Sequence, residues 1–150
     1  SGDLLLADSA IHSLKSSLFA RATLLTPNLP EAAKLVGEGS TEQQAKALLA
    51  LGVNAVLMKG GHADGGTCTD HLFFQTRTQH FSAQRVNTRN THGTGCSYSS
   101  AIAAGLAQGM ALGDAVSRAH AWLHQAIVHA DKLNVGQGQG PVHHFHALWK

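Results

Sequence analysis

Ala22-Thr23-Leu24-Leu25-Thr26-Pro27 and, some thirty positions on, Val53-Asn54-Ala55-Val56-Leu57-Met58 are the stretches whose reading decides the fold. The first is a short apolar run stopped by Thr26-Pro27. Pro27 biases Thr26 toward extended backbone, so Ala22–Leu25 is expected as a buried strand ending at a loop. The second is expected as another buried strand. Between them the pattern predicts two helices, Leu29–Val36 and Thr41–Leu51, separated by the Gly37-Glu38-Gly39 break, the second with Thr41 as N-cap and Gly52 as C-cap. A strand, two helices and a strand with short connections imply a right-handed parallel crossover, and therefore α/β architecture.

Working outward, Ala10, Ile11, Leu14, Leu18 and Phe19 share one face of an expected helix from Asp8 to Ala20, with Asp8 or Ser9 available as its cap. Beyond Gly60-Gly61 a polar, Gly-rich stretch runs to Thr69. Two antiparallel strands are expected next, His71–Gln75 and Thr78–Ala83, joined near Thr76-Arg77 as a hairpin at the sheet edge. Ser97–Gly109 is predicted as a helix whose Ala101, Ala104 and Gly105 allow close packing on a sheet. A further helix, about Gly113–Asp131, places Ala115, Val116, Ala119, Trp122, Leu123, Ala126, Ile127 and Ala130 on one face and Arg118, His120, His124 and His129 opposite. The tail from Asn134 is too short for a domain, and Pro141–His146 is expected to pack on the sheet edge. No internal repeat or linker divides the chain, so one domain is expected.

Composition bounds the function. A chain of 150 residues with 43% hydrophobic and 13% charged residues can bury a core and does not look disordered. No apolar run approaches the ~18–20 residues of a membrane span, so no membrane partner is expected. The net charge of +2, spread without a dense basic block, argues against nucleic acid. Cys68 and Cys96 lie in unlike contexts with no signal peptide ahead of them, which fits a reducing cytoplasm. The opening Ser1-Gly2-Asp3, without an initiator Met, reads as the middle of a longer chain.

Four groups could carry chemistry. Asn90-Thr91-His92-Gly93-Thr94-Gly95-Cys96 opens an apolar helix, and its glycines let backbone N–H groups converge where the helix dipole favours negative charge. The segment is either an anion hole for phosphate or a tight turn before a helix. It matches neither the dinucleotide-binding Gly-x-Gly-x-x-Gly pattern nor the Walker loop. Cys96, in the first helical turn, is either a thiol activated as proton acceptor or an inert packing residue, and Cys68 is simply tolerated in its loop. Asn28-Leu29-Pro30-Glu31 is either a capping box or, at the carboxyl edge of a parallel strand, a magnesium site. Lys59-Gly60-Gly61 follows the second strand, and Lys59 either supplies a point charge to phosphate or faces solvent. The histidines, including the His120/His124 pair, lack acidic or thiolate neighbours at ligand spacing, so no zinc site is expected.

Thr26–Ala32, Val56–His62, Asn90–Cys96 and Gly140-Pro141-Val142-His143-His144-Phe145-His146, taken together and in this order, resemble the hydroxymethylpyrimidine/phosphomethylpyrimidine kinases of thiamine biosynthesis, a ribokinase-like family. The resemblance implies a three-layer α/β/α fold with a mainly parallel sheet, of which this chain is the C-terminal, nucleotide-binding part of a single kinase domain. It implies ATP as co-substrate, Mg2+ held through water by Asn28 and Glu31, and Lys59 on the transferring phosphate. Thr91, His92, Gly93, Thr94 and Gly95, with Gly61, would form the ATP-binding anion hole, and Cys96 would be the catalytic base. A homodimer is implied for the full-length enzyme, and inactivity for the 150-residue chain alone. Family members often have Pro where Leu4 stands and Thr-Leu where Ser97-Tyr98 stand, and Tyr98 could alter packing beside the nucleotide. The alternatives are a pyridoxal kinase using the same loop, or a catalytically silent nucleotide-binding or interaction module.

Overall fold

The computed structural model describes residues 8–60 and 65–149. The chain divides between Ser82 and Ala83 into two compact units.

The first unit begins with α1 (Asp8–Ser13), whose helical path continues through a wide turn over Leu14–Leu18, closed by the Phe19 N–H on the Leu14 carbonyl, and a tight turn over Phe19–Arg21. The single helix expected over Asp8–Ala20 is thus one run of changing pitch. Such a wide turn shifts the side-chain register, and Phe19 ends fully buried. The α2 helix (Leu29–Val36) has the expected bounds, starting on Asn28 with Pro30 in its first turn. The α3 helix (Thr41–Ala50) is capped by Ser40, not Thr41. Both hydroxyls could serve, but Gln43 stands three residues after Ser40 and closes a reciprocal box, with the Ser40 N–H donating to Gln43 Oε1 at 2.8 Å. Gly52 follows with φ +93°, as a glycine beyond a helix end should.

Strand β1 (Val56–Met58) is fully buried along its length. On one edge it pairs antiparallel with β2 (Thr67–Phe73), Val56 opposite Phe73 and Met58 opposite His71. β3 (Thr78–Gln84) is the third strand in the order β1-β2-β3, so the hairpin supplies the centre and one edge of the described sheet, which is antiparallel where a mainly parallel one was expected. On the other edge the segment expected as a strand runs parallel to β1 but makes only isolated bridges, Leu25 with Val56 and Asn28 with Lys59. Leu25 N–H donates to Ala55, Leu57 N–H to Leu25 and Lys59 N–H to Pro27. Proline has no N–H to continue a regular ladder, so the segment stays irregular while keeping parallel register. Phe19, Ala32, Leu48, Val53, Val56 and Met58 form the centre of this unit's core.

The second unit is built on α4 (Thr94–Ala107) and α5 (Leu112–Val128), followed by a tight turn over Ala130–Lys132. Ala115, Val116, Ala119, Leu123, Ala126 and Ala130 are buried, as the periodicity requires. Gly105 of α4 lets α5 approach closely: a Cβ on it would come within 2.9 Å of Ala115 Cβ. The histidines opposite the apolar face of α5 are not a solvated surface. His120 and His124 are half-buried, and His124 Nε2 lies 3.0 Å from the Gln84 carbonyl. The tail docks inside this unit, with Pro141 bridged to His92 and the His143 N–H donating to Ala126 at the end of α5.

Candidate active site

In the first unit Asn28, Glu31 and Lys59 come together. The N-terminus of α2 needs acceptors for its leading N–H groups, and Asn28 Oδ1 accepts from the Glu31 N–H at 2.8 Å while Glu31 Oε2 accepts from the Asn28 N–H at 2.8 Å. The capping box is therefore present. It also fixes the carboxylate beside the end of β1, because Asn28 is bridged to Lys59. Lys59 Nζ stands 3.7 Å from Glu31 Oε2, with the lysine mostly shielded and the glutamate 55% exposed. One cation and one carboxylate thus meet where a helix begins and two parallel segments end, the place where open α/β sheets bind ligands.

The turn after Lys59 is held by Asp70, which the sequence reading did not single out. Asp70 is buried in β2 and its Oδ1 accepts from the Gly60 N–H at 2.8 Å. Gly60 is obligatory: a Cβ there would lie 1.8 Å from the Thr69 carbonyl oxygen. The observed strand begins at Thr67, four residues before the expected start at His71, and so takes in Asp70. A cavity of about 170 Å³ opens here, lined by Leu29, Thr41, Lys59, Gly60, Thr69 and His71 among others. His71 Nδ1 lies 2.9 Å from His80 Nδ1 across the hairpin. Burial, and then the nearby His80, lower the His71 pKa, while Asp70 and Glu42 act more weakly to raise it. Gly61 lies outside the described residues.

In the second unit Thr91–Cys96 form one continuous loop and helix start. Gly93 caps α4 with φ +84°, a left-handed conformation that explains the glycine. The first i→i−4 bond of the helix is Ser97 N–H to Gly93, so the Gly95 and Cys96 N–H groups precede the helical ladder at its positive end. No acidic side chain occupies that first turn, and Cys96 is exposed and free. Ser97 Oγ, one residue on, lies 2.7 Å from His144 Nε2.

The loop is anchored by residues far away in sequence. His92 N–H donates to Gly140 O at 3.0 Å and Val142 N–H to His92 O at 3.3 Å. Asn90 Oδ1 accepts from the Gly140 N–H at 3.1 Å, and Asn90 Nδ2 donates to Asp131 Oδ1 at 2.8 Å. A cavity of about 490 Å³ adjoins this anchor, lined by Thr88, Arg89, Asn90, Asp131, Asn134 and Gly136 among others. Asp131 and Gly140 were not singled out as site residues from the sequence. Nothing in their local pattern signals contacts spanning 41 and 50 residues.

The phosphomethylpyrimidine kinase family profile matches residues 1–143. The chain is 52% identical to the hydroxymethylpyrimidine/phosphomethylpyrimidine kinase of Salmonella typhimurium and 50% identical to that of Escherichia coli, in both cases over 99% of this chain and 58% of the relative. It thus spans somewhat under three-fifths of their length. Among solved structures, an ADP complex of Bacillus subtilis pyridoxal kinase superposes with a TM-score of 0.87 at 28% identity, covering 95% of this chain and 57% of that one. The α/β, ribokinase-like fold is thereby shown. No helix among the described residues is long and apolar enough to cross a membrane. On the profile match and the two kinases sharing half its residues, the chain belongs to the phosphomethylpyrimidine kinase family.

Proposed function

We propose that the protein carrying this chain transfers the γ-phosphoryl group of ATP to 4-amino-5-hydroxymethyl-2-methylpyrimidine and to its monophosphate, in thiamine biosynthesis. The observation that carries the reading is an exposed thiol in the first turn of α4, beside N–H groups that precede the helical ladder. Phosphoryl transfer needs positioning, charge neutralisation and an activated nucleophile, and this chain's residues bear on the phosphate side of that requirement. The Gly93–Cys96 amides hold phosphate oxygens. With the alcohol as acceptor, Cys96 Sγ takes the hydroxymethyl proton as that oxygen bonds to the γ-phosphorus and ADP departs; with the monophosphate, an oxygen of its phosphate bonds to the γ-phosphorus as ADP departs, and no hydroxymethyl proton is moved. Lys59 meets charge on the transferring group.

Glu31 and Asn28 offer the hard oxygen donors that suit Mg2+ through its waters, and the exposed Glu31 carboxylate fits an outer-sphere role. Mg2+ bound there would neutralise phosphate charge. The free Cys68 and Cys96 favour a reducing cytoplasm, and the family resemblance favours a homodimer.

Pyridoxal kinase is the second reading, favoured by the TM-score of 0.87. A coupled assay with ATP and each acceptor separates the two: turnover should be high on the pyrimidine monophosphate and slight on pyridoxal. Equal or better turnover on pyridoxal would reverse the assignment.

A further inference from the structure

The anion loop is oriented by a side chain outside it. Asp131, in the tight turn after α5, accepts with one oxygen, Oδ1, from both the Thr88 hydroxyl and Asn90 Nδ2. Thr88 Oγ1 in turn accepts from the Asn90 N–H at 3.0 Å. Asn90 therefore uses both ends of its amide, donating to Asp131 and accepting from the Gly140 N–H. A flipped amide would lose both bonds, so Asp131, which can only accept when ionised, dictates which way Asn90 faces. Gly140 is buried, and a Cβ on it would lie 2.2 Å from Asn90 Oδ1, so the backbone has closed onto this side chain. Gly140 O then accepts from the His92 N–H, the residue before Gly93. The path Asp131–Asn90–Gly140–His92 ends where the left-handed turn begins.

We propose that Asp131 is a positioning residue for phosphoryl transfer, acting through Asn90 and Gly140 to set the direction of the Gly93–Cys96 amides. The proposal rests on the functional reading above and adds to it a residue whose shown bonds are to Thr88 and Asn90. Amides held in fixed directions stabilise charge without reorganising during the reaction, whereas a loop displaced by about 1 Å loses on the order of 10²-fold in rate. A charge-assisted bond to Asn90 is stronger than a neutral one, yet an amide oxygen in the same place would still accept.

The experiment compares Asp131→Ala, Asp131→Asn, Asn90→Ala and the Asp131→Ala/Asn90→Ala double variant in the whole enzyme. Steady-state kinetics are run with each substrate varied, and a non-hydrolysable ATP analogue is titrated calorimetrically, at a temperature where melting curves show every variant folded. Asp131→Ala and Asn90→Ala should each lower kcat/KM for ATP by roughly 10- to 100-fold with the acceptor KM unchanged. The double variant should be no worse than the poorer single one, and Asp131→Asn should recover most of the loss. Where Asp131→Ala does not fold, Asn90→Ala and Asp131→Asn carry the same test. Parent-like kcat/KM and analogue affinity in the single variants, or losses that simply add, would overturn the positioning role. Analogue binding needs no acceptor, so an unmodified enzyme inactive on every pyrimidine would overturn the functional reading alone. Weakened analogue affinity would still then support the positioning role of Asp131.

Discussion

The Asn28/Glu31/Lys59 corner and the Gly93–Cys96 loop are both assigned to phosphate chemistry, yet they are built in opposite ways. The corner is made of side chains, its cap held by bonds three residues apart in sequence and its lysine brought in by the parallel register of Leu25–Asn28 with Val56–Lys59. The loop is made of backbone amides and held by Asn90, Asp131 and Gly140 across 41 and 50 residues. A capping box forms whenever its helix forms, so the Asn28/Glu31 part of the corner depends little on the rest of its unit. Amides at a helix start have no side chain to re-aim them, so the loop is only as well placed as its distant anchors. Substitutions should therefore be absorbed in the corner and propagate in the loop.

The largest effect should come from the loop. Cys96→Ala is expected to lower turnover of the alcohol by roughly 10²- to 10⁴-fold, the range for a lost general base, while nucleotide affinity changes little because the amides remain. Steady-state kinetics with parallel nucleotide titration measure both, and unchanged turnover would reduce Cys96 to a packing residue. The next effect tests whether the corner is as forgiving as its capping box suggests. Gly60→Ala drives a methyl group into the Thr69 carbonyl, which belongs to backbone and cannot swing aside. The turn must open and the Asp70 bond must lengthen. Denaturant unfolding should show a loss of about 1–3 kcal/mol, the usual scale for overpacking. A neutral result would mean the turn after β1 is looser than its geometry.

The same contrast explains what was legible in the sequence. The bounds of α2 were read correctly because Asn28, Glu31 and Gly37 punctuate them locally. The α3 cap was misplaced by one residue because two adjacent hydroxyls compete, and only the position of Gln43 decides. The strand at Ala22–Leu25 was read too regularly, since apolar character does not reveal that Pro27 interrupts the ladder. Asn28, Glu31, Lys59 and Thr91–Cys96 could be named because each lies in a short motif, and the structure brings each set together within its own unit. Asp70 and Asp131 could not be, because what makes an acid matter is its partner, here 10 and 41 residues away.

A smaller effect separates the two duties of Glu31. In the neighbouring box of α3 a glutamine accepts the cap N–H at 2.8 Å, so Glu31→Gln should keep the α2 cap. Glu31→Ala should lose about 1 kcal/mol, the value of one hydrogen bond. Both should raise the Mg2+ concentration giving half-maximal activity, because both remove the carboxylate. A Mg2+ requirement unaltered in Glu31→Gln would leave Glu31 as a cap and nothing more, and the corner would lose its assigned chemistry.

The smallest effect concerns pH and belongs to the sheet beside Lys59. His71 is partly buried, and its Nδ1 faces His80 Nδ1 at 2.9 Å, so one ring must donate and the other accept. Burial and then His80 disfavour the charged ring, outweighing Asp70 and Glu42, and the folded pKa lies below the ordinary histidine value of ~6.5. The unfolded chain therefore takes up this proton more readily than the folded one. The stability contributed by the neutral ring is present above about pH 6.5 and is lost as pH falls through that value toward the folded pKa. Denaturant midpoints measured from pH 7.5 to 5 should decline, and His71→Gln should decline less steeply, because glutamine removes this titration and can still hydrogen-bond His80. The difference between the two slopes isolates His71 from the other histidines and carboxylates. Parallel slopes would show that proton uptake at His71 is the same in both states, and that the 2.9 Å contact adjusts to a charged ring without cost to the fold.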